Sequence, residues 1–75
     1  MEVERVFGLV LKDLRNQNGV SQNDLADLAE LDRTYISLLE RGLRQPTIET
    51  LFKLAQALKI KASTIIQKME LFNEN

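Results

Sequence analysis

The side chains able to do chemistry are unevenly spread along these 75 residues. Histidine and cysteine are absent. That excludes thiol nucleophiles, imidazole bases, disulfides and Cys/His zinc sites, and the carboxylates are scattered with no base or second ligand beside them. No catalytic set, metal site or cofactor is expected. What is concentrated is positive charge. Residues 33–61 carry Arg33, Arg41, Arg44, Lys53, Lys59 and Lys61 against Glu40 and Glu49 alone, a local balance of about +4 in a chain of formal net charge −1. Residues 1–32 hold Arg5, Lys12 and Arg15 against seven acids. Such polarity can steer one face toward phosphate while the acidic remainder favours solubility. The same pattern also describes an ordinary solvated surface.

The elements that must carry these residues read as helices. Val3, Val6, Phe7, Val10, Leu11 and Leu14 recur at helical spacing between charged residues, which predicts an amphipathic helix over 2–18 closed by a left-handed Gly19. Ser21, with Asp24 three residues on, offers a cap for a short second helix whose apolar face is Leu25, Ala26, Leu28 and Ala29 and whose end falls near Glu30. Asp32 caps a third, with Ile36 and Leu39 inward and Gly42 ending it after Arg41. After the loop Leu43-Arg44-Gln45-Pro46, Thr47 caps a fourth helix with a buried stripe of Ile48, Leu51, Phe52, Ala55 and Leu58. A fifth, about 62–73, holds Ile65, Ile66, Met69, Leu71 and Phe72, more apolar positions than one narrow stripe needs. No strand-period alternation appears, so the expected fold is all-α, five helices in a single domain over 1–75. With no apolar run of membrane length and no signal-peptide pattern, the expected location is cytoplasmic with no membrane partner. A core this small is marginal without a staple, and dimerisation is the staple that remains.

A helix-turn-helix needs an apolar and a small residue in its first helix, a tight turn, and apolar residues on the inner face of its second, because packing sets the angle at which the second helix is presented. Leu25, Ala26, Ala29, Leu31, Ile36 and Leu39 meet these demands in order. A side chain larger than Ala26 would push the helices apart, at a cost of roughly 1–3 kcal/mol.

With those positions in place, SQNDLADLAELDRTYISLLERGLRQPTIETLFKLAQAL resembles the helix-turn-helix family of phage repressors and Cro proteins over about residues 10–66. The LDRTYIS stretch followed by ERG and a basic loop is similar, within that family, to the controller proteins of restriction-modification systems. The resemblance implies a lambda-repressor-like five-helix DNA-binding domain with the helix-turn-helix at 22–41, and a sequence-specific transcriptional regulator rather than an enzyme. It implies base reading by Arg33, Thr34 and Ser37, with Arg33 suited to guanine O6 and N7. Phosphate contacts are implied for Gln22 at a helix N-terminus, for Tyr35, and for Arg41, Arg44 and Gln45. Tyr35 fits a core-edge aromatic equally well, and Leu38, outward by helical phase, either touches DNA or packs on a neighbour. Arg15 and Glu40 match a family ion pair that braces the reading helix. Glu30 departs from the pattern, standing where the family has a left-handed glycine, at a strain of about 1 kcal/mol.

The implied partners are a palindromic double-stranded operator, a second copy of the chain and, for a controller that activates, RNA polymerase. No small-molecule effector is expected. Ile65, Met69 and Phe72 of the fifth helix are the expected dimer contacts, with Ala62, Ile66 and Met69 covering the core; the alternative is that the whole helix completes the core. A helical protein-interaction module or antitoxin that keeps the motif as scaffold is the competing function.

Overall fold

The computed structural model describes residues 2–73. They form α1 (Val3–Gln17), α2 (Gln22–Ala29), α3 (Arg33–Glu40), α4 (Ile48–Ala57) and α5 (Ala62–Asn73), and among the described residues there is no strand. Three helices begin where polar caps were expected. Ser21 Oγ accepts from the Asp24 N–H at 3.0 Å, Asp32 Oδ1 from that of Thr34 at 3.4 Å, and Thr47 Oγ1 from that of Thr50 at 3.0 Å. Each satisfies a backbone donor that the helix itself leaves free, a stabilisation of about 1 kcal/mol per cap.

Between α2 and α3 the chain turns on Glu30, Leu31 and Asp32. Glu30 is left-handed, with φ 57° and ψ 45°, as its place in the motif required. The Leu31 N–H then donates to the Ala26 carbonyl at 2.8 Å and closes the turn. Lys59, just past α4, adopts the same conformation with φ 61°, a second strained position that no sequence pattern marks. At the far end of α3, the Gly42 N–H donates to the Leu39 carbonyl at 3.1 Å and the Leu43 N–H to that of Leu38 at 3.0 Å. This paired closure depends on Gly42 at φ 74°.

Every helix supplies the core. Phe7 and Leu11, Leu25, Ile36 and Leu39, Leu54, and Ile65 are fully buried. α1 packs on α3 and α5, α2 on α3 and α4, and α4 on α5. Gly8 sets the α1–α3 distance: a Cβ there would lie 2.4 Å from the Leu39 carbonyl oxygen and 2.7 Å from that of Glu40. Only a residue without a side chain lets the two backbones approach so closely.

Several expected inward positions are corrected. In α4 the stripe runs through Leu51, Leu54, Ala55 and Leu58, while Ile48 and Phe52 are 72% and 61% exposed on its flank. Leu28 of α2 is likewise exposed. In α5, Ile65 and Met69 are buried, whereas Ile66, Leu71 and Phe72 are exposed. Ile65 is therefore a core residue with no surface of its own, Met69 is buried but borders a surface cavity, and Ile66, at the rim of that cavity, is 41% exposed. The reason is phase: α5 packs on α1 and α4 through the i, i+4 pair Ile65 and Met69, and Ile66 is turned about 100° away from Ile65.

Candidate nucleic-acid interface

The orientation of α3 is held from behind by a polar cluster. The Glu40 side chain, 3% exposed, receives the Arg15 Nε at 2.6 Å on Oε2, and Arg15 Nη2 at 3.1 Å and Gln22 Nε2 at 3.0 Å on Oε1. Arg15, 12% exposed, also donates from Nη1 to the Val20 carbonyl at 2.9 Å. The Glu40 carboxylate thus ties together α1, the first turn of α2 and the last turn of α3, and Arg15 adds the loop before α2. The hydrogen bond to Glu40 holds the Arg15 guanidinium above its ordinary pKa, with partial burial opposing it and the Glu40 charge adding to it. No buried side-chain nitrogen or oxygen among the described residues lacks a partner.

Gln22 is therefore placed differently from a free phosphate ligand. One hydrogen of its amide is taken by Glu40, which leaves the other for an outside acceptor. The same holds for Gln45, whose Nε2 donates to Glu4 Oε2 at 3.0 Å. That bond holds the Glu4 carboxyl below its ordinary pKa. Arg15 and Glu40 lie 25 residues apart, and Gln22 is 18 from Glu40. No local pattern links them, and only the resemblance pointed to the ion pair. Gln22 as its third member has no sequence signal at all.

The opposite side of α3 faces solvent. Arg33, Thr34 and Arg41 are exposed, and Ser37, Leu38 and Tyr35 are half-buried. The Tyr35 ring packs against the core. Arg44 and Gln45 are exposed in the loop that follows. Among the described residues Arg33, Arg41 and Arg44 are in no ion pair. The basic residues of 33–61 do not all gather here. Lys53 and Lys59 line a groove between α2 and α4 with Leu28 and Glu30, and Lys53 pairs with Glu49 at 3.7 Å. The exposed cations at the end of α3 are thus arginines, whose planar guanidinium suits bidentate contact with a guanine edge or a phosphate.

A second surface is apolar. Val3, Ile48 and Ile66 line a cavity of about 170 Å³ with Phe7, Pro46 and Leu51 beneath them. Phe52, one turn after Ile48, extends the patch along α4.

A family model described as Helix-turn-helix matches residues 11–65. The control protein C.SmaI of Serratia marcescens is 35% identical over 74 residues, spanning 99% of this chain and 88% of its own. The structure of the restriction-modification controller protein C.AhdI from Aeromonas hydrophila superposes with a TM-score of 0.81 at 40% identity, covering 83% of this chain and 94% of that one. The wild-type restriction-modification controller protein C.Esp1396I does so with a TM-score of 0.90 at 30% identity, covering 97% and 96%. The matched segment takes in the second half of α1, all of α2 to α4 and the start of α5, and the superposition extends over the rest of α1 and α5.

Proposed function

Since the chain belongs to the helix-turn-helix family, with restriction-modification control proteins among its relatives, we propose that it regulates transcription by binding a palindromic operator as a homodimer, as a controller of restriction-modification genes. The observation that carries this reading is the contrast across α3: a buried carboxylate with three incoming hydrogen bonds fixes the helix from behind, while Thr34 and Arg41 on its front and Arg33 at its flank are exposed, the two arginines in no ion pair among the described residues. A recognition helix works in this way, since base discrimination requires donors held in register before the DNA arrives.

In this reading Arg33, Thr34 and Ser37 meet base edges. Gln22, with its remaining amide hydrogen and the free N–H groups of the first turn of α2, takes a phosphate. Arg41, Arg44, Gln45 and the Tyr35 hydroxyl contact the backbone. The second copy docks on the apolar patch of Val3, Ile48, Phe52 and Ile66; Phe72 is exposed over a separate groove with Val10 and Leu71. In the docking patch Ile65 has no part, since it is wholly consumed by the core, and Met69 contributes only the edge that borders the cavity.

Two measurements test the proposal. Selection from a random DNA pool is expected to enrich an inverted repeat whose half-site centres lie about 34–36 Å apart or a multiple of that. Affinity for it is expected to fall steeply with salt as phosphate counterions are released. No enrichment at low salt would overturn operator binding. Sedimentation equilibrium is expected to show a dimer at tens of micromolar that becomes monomeric on Ile48→Glu with Phe52→Glu, and a wild-type monomer at that concentration would overturn the dimer.

A further inference from the structure

The front of α3 holds one apolar side chain among polar ones, and we propose that this residue, Leu38, reads the 5-methyl group of a pyrimidine. The inference rests on the placement of α3 in the major groove. Buried Ile36, Leu39 and Glu40 define the inward direction of the helix. At 100° per residue, Thr34, Leu38 and Arg41 then lie within roughly 35° of the opposite, outward direction, Ser37 roughly 70° from it, and Tyr35 and Arg33 roughly 90–110° to either side. Leu38 thus faces a bound duplex more directly than Arg33 does. It stands one turn beyond Thr34 on the same face.

Its surroundings are those of a leucine waiting for an apolar partner. Leu38 is half-buried, and the closing hydrogen bond from the Leu43 N–H to its carbonyl brings Leu43, 60% exposed, against the same last turn. Exposed Arg41 and Arg44 follow each leucine by one to three residues, so this small apolar spot lies inside the region that attracts phosphate. Base edges in the major groove offer hydrogen-bond donors and acceptors and a single apolar handle, the C5 methyl. Thymine carries it, and so does cytosine after methylation at C5. Both place the same group at the same point of the groove, and Leu38 recognises that group.

The test uses the full chain and the inverted repeat recovered by selection. Each thymine of one half-site is replaced in turn by deoxyuridine, which removes only the methyl group, and each cytosine in turn by 5-methyldeoxycytidine, which adds it. Affinities are read by fluorescence anisotropy for the wild type and for Leu38→Ala, with circular dichroism confirming the fold. At one pyrimidine position the methyl group is expected to raise wild-type affinity about three- to fivefold, the effect of burying one such group, and Leu38→Ala is expected to bind both forms equally. A response in the thymine arm identifies thymine as the source, and one in the cytosine arm identifies methylated cytosine. Should Leu38→Ala unfold, Leu38→Val replaces it, with the ratio expected to shrink to roughly twofold. The proposal is overturned if no position responds, or if the response persists undiminished without Leu38. Enrichment of an operator with no methyl effect leaves operator binding standing and removes only this inference. Absence of any enriched sequence removes both.

Discussion

On the inner side of α3, Glu40 collects three hydrogen bonds from Arg15 and Gln22 while Gly8 admits the α1 backbone against the carbonyls of Leu39 and Glu40. On the outer side Thr34 and Arg41, with Arg33 at its flank, stand in solvent, and among the described residues the two arginines have no ion-pair partner. The inner side is over-determined: each group there satisfies another, and removing one strands its neighbour away from water. The outer side has almost nothing to lose on folding. Stability and the proposed recognition would therefore rest on residues a few positions apart on and beside one eight-residue helix, and they should be separable by mutation.

The largest effect is expected from Glu40→Ala, which leaves Arg15 largely buried without its carboxylate. Chemical denaturation should show a loss of about 3–5 kcal/mol. A loss below about 1 kcal/mol, the range of an exposed pair, would mean that the cluster does not brace α3. Gly8→Ala comes next. Its methyl meets backbone oxygens that no rotamer change can move aside, so a loss near the upper end of ~1–3 kcal/mol is expected in the same measurement. Arg33→Ala should invert the pattern. Its unfolding free energy should stay within about 0.5 kcal/mol of wild type, while affinity for the selected operator falls by about 1–3 kcal/mol, read by anisotropy. A variant that lost stability and kept affinity would place Arg33 with the inner side. The smallest effect belongs to Glu30→Gly, which relieves the left-handed strain between the two helices. A gain of about 0.5–1 kcal/mol is expected, since the relief of roughly 1–2 kcal/mol is partly offset by the greater freedom of glycine in the unfolded chain.

Much of the fold was legible because it is written locally. Ser21, Asp32 and Thr47 act within three residues of themselves, and the turn at Glu30 is recognisable from its neighbours, so helix ends were placed to within a residue or two. Burial was less legible where a helix carries apolar residues on more than one side. In α4 and α5 the periodicity allows several stripes, and which is covered depends on where α1 and α2 happen to lie. Phe52 and Ile66 went outward and Leu54 and Ile65 inward for that reason. The residues proposed to read bases were accessible through the resemblance, but their placement on α3 was not: phase relative to the buried face brings Leu38 to the centre of the outer side and moves Arg33 to the flank.

Composition and spacing alone determined that this chain is helical, that it holds no cysteine or histidine and hence no thiol nucleophile, imidazole base or Cys/His zinc site, and that a short capped helix follows a tight turn in its middle. These follow from hydrogen bonds and periodicities that span a few residues. Tertiary structure decided the rest. It joined Arg15, Gln22 and Glu40 across 18 and 25 residues, made Gly8 indispensable to the approach of two backbones, and tied the Gln45 amide to Glu4. Such contacts depend on the positions of whole helices, and the energy that sets those positions is the burial of a core to which all five contribute.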